Sequence, residues 1–446
     1  MGLFDRHAPA WRNPFRDNIA ALLVSTLLLA APMLALMLHC IYHTFYSRHA
    51  SLGMSHGFST PFEDAHSPSS FLYVASYSGI VTTLNLTRGR QGGTPLALEH
   101  VSTTEGCAGS PSWLTLDHPN SVLYCTDEGL KDGRNGSLSS LRTTQDGKLT
   151  PLDQVPTVLG PVSAVLYGER SQGLAVAHYG GSAFTTWNIQ DPANLTSVEV
   201  RNFKLSEPGS DPSRQEAPHP HAAALDPSGH FVLVPDLGAD LVRIYSVEAA
   251  GLALTELDPL VVAAGSGPRH VAFAVKETRT FMYLVTELAN TIVGYEVTYG
   301  SGSIAFEEIW NSGTHGKDED VPEDAAASEI VVSSDSKFLI LSSRNESSLH
   351  IPNFDAENST SIISDPLINF VIDAETGHLT LRQEVPSGGR WPRQFAINKA
   401  GTLVAVALQG DGRVVVIERD VENGVLGDFV AYAEVGGEVT AVIFNE

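Results

Sequence analysis

From residue 69 onward the chain alternates short apolar runs with polar turns, and one two-strand phrase recurs. Copies read "PSWLTLDHPNSVLYCTDEG" from Pro111, "GPVSAVLYGERSQGLAVAHYGG" from Gly160 and "HPHAAALDPSGHFVLVPDLGA" from His219. Three more read "GPRHVAFAVKETRTFMYLVTELAN" from Gly267, "AASEIVVSSDSKFLILSSRNE" from Ala326 and "WPRQFAINKAGTLVAVALQGD" from Trp391. Each pairs a first strand with a second that ends near a polar residue. Further strands follow, such as "LVRIYSV", "TIVGYEV" and "VVVIERD". Their period-two alternation is that of half-buried strands. The repeat length, roughly 45 to 65 residues, is that of a four-stranded propeller blade.

Six units are complete and a seventh is split. "EVTAVIFNE" at the C-terminus reads as an inner strand with nothing after it. "SSFLYVASYSGIVTTLNL", from Ser69, reads as a second and third strand with nothing before them. Joining the two completes a blade and removes the open edges of a linear array. The pattern therefore predicts an all-β fold, one seven-bladed β-propeller over residues 69–446, closed by pairing of its N- and C-terminal strands. The polar stretch Asn345 to Asp365 predicts a surface loop inserted in the sixth blade. A monomeric propeller is expected.

The first 68 residues differ. Ile19 to Leu38 carries no charge and is long enough to span a bilayer as a helix. Arg6, Arg12 and Arg16 precede it, which predicts residues 1–17 in the cytoplasm and the rest outside. Residues 18–38 read as one transmembrane signal anchor or a signal peptide, and residues 39–68 as a linker. The expectation is a protein anchored in the membrane through this helix, or secreted. Cys40 at the membrane edge is open to acylation or is a chance residue. Cys107 and Cys125 are candidates to pair across neighbouring strands in an oxidising compartment. Sequons at Asn85, Asn135, Asn194, Asn345 and Asn358 suit a lumenal glycoprotein. The formal charge is −24, which argues against nucleic acid as a partner.

In a propeller, inner strands start and second strands end at one mouth of the axial channel, so equivalent positions of different blades converge there. His219, His221, Arg269, His270, Glu329 and Arg393 lie at first-strand starts. Asp127, Glu128, His178, Asp236, Glu287 and Arg344 lie at second-strand ends. Lactone hydrolysis needs a base for water and a cation for the developing oxyanion. Lactone formation across a double bond needs a proton donor and a clamp for substrate carboxylates, which the planar guanidinium of Arg matches. Either chemistry fits one His, one Glu and two Arg. His-x-His suggests a metal, but no third ligand at sensible spacing accompanies it, so neither metal nor cofactor is expected.

The phrases "HPHAAALDPSGHFVLVPDLGADLVRIYSV", "GSGPRHVAFAV", "YLVTELAN" and "PRQFAINKAGTLVAVALQ" resemble the seven-bladed propeller lactonase family over essentially all of residues 69–446. That family includes bacterial 6-phosphogluconolactonases and the fungal 3-carboxy-cis,cis-muconate cyclase. The resemblance implies a lactone-forming or lactone-opening enzyme acting on a small-molecule substrate. It implies catalytic roles for His221, Glu287, Arg269 and Arg344. His221 would be the acid or base, Glu287 its partner or the alternative base, and the two arginines substrate clamps. His219, His270, Glu329, His178, Asp236 and Arg393 are expected to line the substrate site. Other readings stand beside these. Arg269 could pair Glu287 merely to staple the structure, Asp236 could fix a turn, and the histidines could cap a strand entry. No Lys- or Gly-rich phosphate cradle is visible, which points to a non-phosphorylated lactone or an unsaturated acid. The alternative function is a non-catalytic extracellular propeller that binds a protein or glycan.

Overall fold

The computed structural model describes residues 70–446 apart from 92–93, 132, 134, 249–250 and 318. The expected N-terminal helix and the linker lie outside the described residues. Among the described residues no helix is long and apolar enough to cross a membrane.

Among the described residues, seven four-stranded antiparallel sheets follow one another along the chain. Blade 1 takes its innermost strand, Val439–Phe444, from the C-terminus and its other three, Ser70–Ser76, Ile80–Gln91 and Thr94–Glu105, from the N-terminal side. Leu72 pairs with Phe444 and Val74 with Val442, which is the expected closure. Blades 2 to 7 span Pro111–Thr157, Pro161–Asn202, Ala224–Val261, Pro268–Gly313, Ala326–Pro386 and Pro392–Glu434.

The packing shows why the ring needs both chain ends. Among the described residues seven apolar clusters form, each shared by two consecutive blades. The cluster of Leu72, Val74 and Leu84 with Ala405, Val414 and Val416 joins blade 7 to blade 1. That of Tyr73, Val81 and Ala75 with Leu114, Leu123 and Leu141 joins blade 1 to blade 2. The other five continue round the ring. A blade's second strand is covered on both faces, so it reads as an unbroken apolar run such as Leu403–Leu408. Hydroxyls stitch the inner strands together: Thr440 donates to the Pro111 carbonyl (2.7 Å), Ser112 to Pro161 (2.6 Å) and Ser328 to Arg393 (2.7 Å).

Two local features depart from expectation. The insertion in blade 6 is not only loop. Leu349–Pro352 and Ser361–Ser364 pair as a hairpin, and Phe354 beside it is buried against Tyr432 at 4.6 Å between ring centroids. The anchor is a handful of apolar residues in a polar stretch, so periodicity did not reveal it. The inner strand of blade 4 is cut to Ala224–Leu225, with one bridge from Pro220 to Asp236 ahead of it. Here the chain crowds the Asp-Leu-Gly turn. A Cβ at Gly238 would sit 1.8 Å from the Ala217 carbonyl oxygen, so only glycine fits.

Cys107 and Cys125 form a disulfide of sequence separation 18 that ties the entry of blade 2 to its second strand. Replacing Cys125 with Ser is expected to cost about 2–4 kcal/mol of unfolding free energy in urea titration. An unchanged midpoint would show the bond to be dispensable.

Candidate active site

Register explains which side chains reach the axis. At the start of four inner strands the pairing skips one residue, between Pro111 and Trp113, Pro161 and Ser163, Pro268 and His270, and Pro392 and Gln394, and in a fifth two residues between Ala327 and Ile330 oppose one on the partner strand. A bulge re-aims the extra residue. Arg269 and Arg393 are such bulged residues, and His221 follows Pro220, whose bridge to Asp236 matches the Pro268–Thr286 pair. A second set lies one residue past the second strands. Tyr77, Glu128, Tyr179, Leu237 and Glu287 each donate their backbone N–H to the carbonyl of a residue just before the inner strand, Glu438, Ser110, Gly160, His219 and Gly267 respectively. Arg344, paired to Ala326, ends the second strand of blade 6 at the same rim.

These positions meet across the ring. The His221 ring lies 5.3 Å from His270 and 5.6 Å from Tyr179 (centroid distances), and His270 lies 5.7 Å from Trp113. Four blades thus contribute to one aromatic-lined mouth.

Glu287 is the hub of the charges. Its Oε2 accepts from Arg269 Nε at 2.8 Å and pairs with Arg344 Nη2 at 3.0 Å, while Oε1 accepts from Arg214 Nη2 at 2.6 Å. Burial alone would raise its pKa, but the guanidiniums of Arg344, Arg269 and Arg214 hold it down at about 2. This carboxylate is not the partner of His221, and it is too acidic to act as a base. Burial, with Arg344 nearby, pulls Arg269 down to about 9.

His270 presents Nδ1 to Glu329 Oε1 at 2.9 Å, an imidazole oriented by a carboxylate. Burial pulls its pKa below the usual imidazole value. His221 is buried and lies well below that value, first through desolvation and then through Arg269, His270, Arg393 and Arg344. It is therefore neutral at pH 7. On the far side Arg393 donates to the Tyr77 hydroxyl and pairs with Glu128 at 2.9 Å, and Tyr77 also donates to Glu128.

Three polar atoms at this mouth are buried without a partner among the described residues: His221 Nδ1, Arg269 Nη1 and Glu329 Oε2. They come from blades 4, 5 and 6. An unsatisfied buried polar atom is costly, and three of complementary character at one mouth form a polar cradle inside an aromatic rim.

The other expected lining residues are placed differently. His178 is fully buried inside blade 3, with Nδ1 at 3.0 Å from the Val158 carbonyl and Nε2 at 2.8 Å from Thr185 Oγ1. Asp236 accepts from the N–H groups of His219 (2.7 Å) and Ala239 (3.2 Å) and from Arg243 twice, at 3.0 and 2.7 Å. Asp127 likewise accepts from the Ser110 N–H and the Ser137 hydroxyl. All three are the last residues of second strands, whose side chains face into the blade. In these three blades the mouth-facing position is the next one, and a shift of one residue along a strand reverses the face. His219 stacks on Tyr179 at 4.2 Å, and its ring nitrogens meet the Tyr179 carbonyl and Glu216. It frames the mouth without offering a free atom.

Tyr77, Tyr179 and Arg214 were not expected. The two tyrosines sit in "ASYSG" and "AHYGG", in step with Glu128 and Glu287, so an aligned register would have found them. Arg214 lies between blades 3 and 4, outside any repeat, and carries no such signal.

A closed ring of seven blades with imidazole, guanidinium and carboxylate groups at one axial mouth has the makings of a propeller enzyme. The family described as "Lactonase, 7-bladed beta-propeller" matches residues 71–444, and the chain belongs to that family. It is 32% identical over 318 residues to a "Probable 6-phosphogluconolactonase" of Arthroderma benhamiae, covering 71% of this chain and 75% of that one. It is 27% identical to the 6-phosphogluconolactonase of Bacillus subtilis, covering 71% and 82%. Among solved structures, the periplasmic gluconolactonase of Pseudomonas aeruginosa superposes with a TM-score of 0.65 at 23% identity, over 84% of this chain and 98% of that one.

Proposed function

We propose that the protein hydrolyses a lactone that carries an anionic group, at the mouth framed by His221, Arg269, Glu329 and Arg344. The observation that carries this reading is the trio of partnerless buried atoms, which suits a carbonyl oxygen at the Arg269 donor, a water at His221 and a substrate hydroxyl at the Glu329 acceptor. The names of the relatives favour opening a lactone over cyclising carboxymuconate.

In the proposed reaction His221 takes a proton from water as the oxygen attacks the lactone carbonyl carbon. Charge on the carbonyl oxygen is met by Arg269 Nη1, a fixed donor in a dry site. The tetrahedral intermediate collapses, the ring C–O bond breaks, and the imidazolium returns the proton to the leaving alkoxide, giving a hydroxy acid. No covalent intermediate is needed. The pair His270–Glu329 borders the reacting atoms. Arg344 and Arg214, 19% and 40% exposed, can turn toward an anionic substituent without leaving Glu287. Such a substituent would offset the positive field that depresses His221 and so make it a stronger base when substrate is bound.

The topology is proposed as anchored or secreted, with the propeller outside the cytoplasm. The disulfide supports it, since such bonds persist in oxidising compartments.

The test is a pH-stat assay of the full-length chain on aldonolactones that are neutral, carboxylated or phosphorylated. Turnover of an anionic lactone is expected. Arg214→Ala should raise KM for that substrate by about tenfold, the worth of one charge-assisted hydrogen bond, and change KM for the neutral one little. Carboxylated and phosphorylated arms separate the two anion types. No turnover of any lactone by a folded chain would overturn the proposal.

A further inference from the structure

Away from the axial mouth, at the junction of blades 5 and 6, His315, Glu346 and Glu384 each offer one ligand atom, and these atoms lie within 4.8 Å of one another. His315 follows the outer strand of blade 5 (Ser303–Gly313), Glu346 follows the second strand of blade 6 (Phe338–Arg344), and Glu384 lies near the end of that blade's outer strand (Leu379–Pro386). Second and fourth strands run the same way in an antiparallel blade, so all three groups share one rim.

His315 Nε2 is 3.3 Å from Glu346 Oε2 and 4.0 Å from Glu384 Oε2. The Glu346 side chain is only 1% exposed, and while one oxygen faces His315, the other, Oε1, is buried with no hydrogen-bond partner among the described residues. The segment holding it is clamped. Buried Asp365 accepts the N–H groups of Asn345 (3.1 Å), Glu346 (2.9 Å) and Ser347 (2.6 Å). Asn345 and Ser347 both have left-handed backbone, with φ of 65° and 52°. A strained turn is thus held so that a carboxylate enters the interior beside a second one. On the other side of the imidazole, Nδ1 meets the Thr314 hydroxyl at 3.2 Å, the kind of outer contact that orients a metal-ligating histidine.

One imidazole and two carboxylates are a donor set for a divalent transition metal. Zinc bonds N and O at about 2.0–2.2 Å, which places neighbouring tetrahedral ligand atoms about 3.4 Å apart. The His315–Glu346 separation already fits, and Glu384, whose side chain is 32% exposed, has room to close the rest. We propose that His315, Glu346 and Glu384 bind a divalent transition-metal cation that ties blade 5 to blade 6, with a fourth position open to water. The sequence did not show it: the three ligands are separated by 31 and 38 residues, and the spacing that suggested a metal was His219-x-His221, where the His219 ring nitrogens meet the Tyr179 carbonyl and Glu216.

The test uses the full-length chain after dialysis against chelator, titrated with zinc chloride by calorimetry and followed by thermal unfolding. One zinc per chain and a raised midpoint are expected. The near-isosteric Glu346→Gln and the more exposed Glu384→Gln should each weaken binding by at least about tenfold, since loss of even an outer-shell partner costs that much. His315→Ala should abolish it, and His378→Ala, at an exposed histidine, should change nothing. Circular dichroism confirms that each variant is folded. If Glu346→Gln fails to fold, Glu384→Gln decides the matter. No stoichiometric zinc, or equal binding by wild type and the Glu384→Gln and His315→Ala variants, overturns the site. No lactonase substrate enters this readout, so it stands or falls apart from the proposed reaction.

Discussion

Replacing His221 with alanine is expected to lower kcat/KM for lactone hydrolysis by about 10²- to 10⁴-fold, the usual worth of a positioned general base. Among the described residues His221 is the histidine with a buried, partnerless ring nitrogen, and the Arg269 guanidinium, which also has a partnerless nitrogen, acts on it at the mouth. Its surroundings also fix the pH profile. A base acts when unprotonated, and desolvation plus four neighbouring cationic or imidazole groups push His221 well below the usual imidazole value. Activity of the free enzyme should therefore persist well below pH 6.5, with its acidic limb displaced downward. His221→Ala should abolish that limb along with the rate. A folded variant that keeps more than about a tenth of the wild-type rate would remove His221 from the reaction and leave the His270–Glu329 pair as the proton acceptor.

How much of this was readable in advance divides along physical lines. The ring was legible because each blade repeats one hydrophobic phrase and because the two orphan phrases at the ends complement each other. The seven shared clusters are what that repetition encodes. Arg269, Glu287 and Arg344 were legible as mouth positions since equivalent sites of a cyclic repeat must converge. What misled was register at the strand ends. Asp127, His178 and Asp236 are the conspicuous polar residues, yet they point inward and satisfy backbone groups of their own blades. The quieter Tyr77 and Tyr179, one step later, face the axis. Partnership was the other blind spot. Sequence shows that Glu287 is near the mouth, but not that three guanidiniums claim it, because one of them, Arg214, lies in a connection with no repeat to align.

That claim has its own consequence. Glu287→Gln should destabilise the propeller by about 3–5 kcal/mol, the cost of stranding buried charge. Arg269 is 2% exposed, and without the Glu287 carboxylate it faces Arg344 with only the weaker compensation of Glu329. Acid should mimic the substitution, and the sign follows from the shift. Glu287 is held at about 2 when folded, below its ordinary 4.5. Such a depressed carboxylate stabilises the folded state above the unfolded value and loses that contribution as pH falls through the folded one. The window is thus about pH 4.5 down to 2, and the amount is about 3 kcal/mol at 1.36 kcal/mol per unit. Urea titrations across that range should show wild type losing stability while Glu287→Gln stays flatter. The double variant Glu287→Gln, Arg269→Met should recover part of the loss, because removing a stranded buried charge relieves the penalty its lost partner created. If the double variant is as unstable as the sum of its parts, Arg269 and Glu287 do not act as a unit. The ion-pair hub would then have no special hold on the mouth.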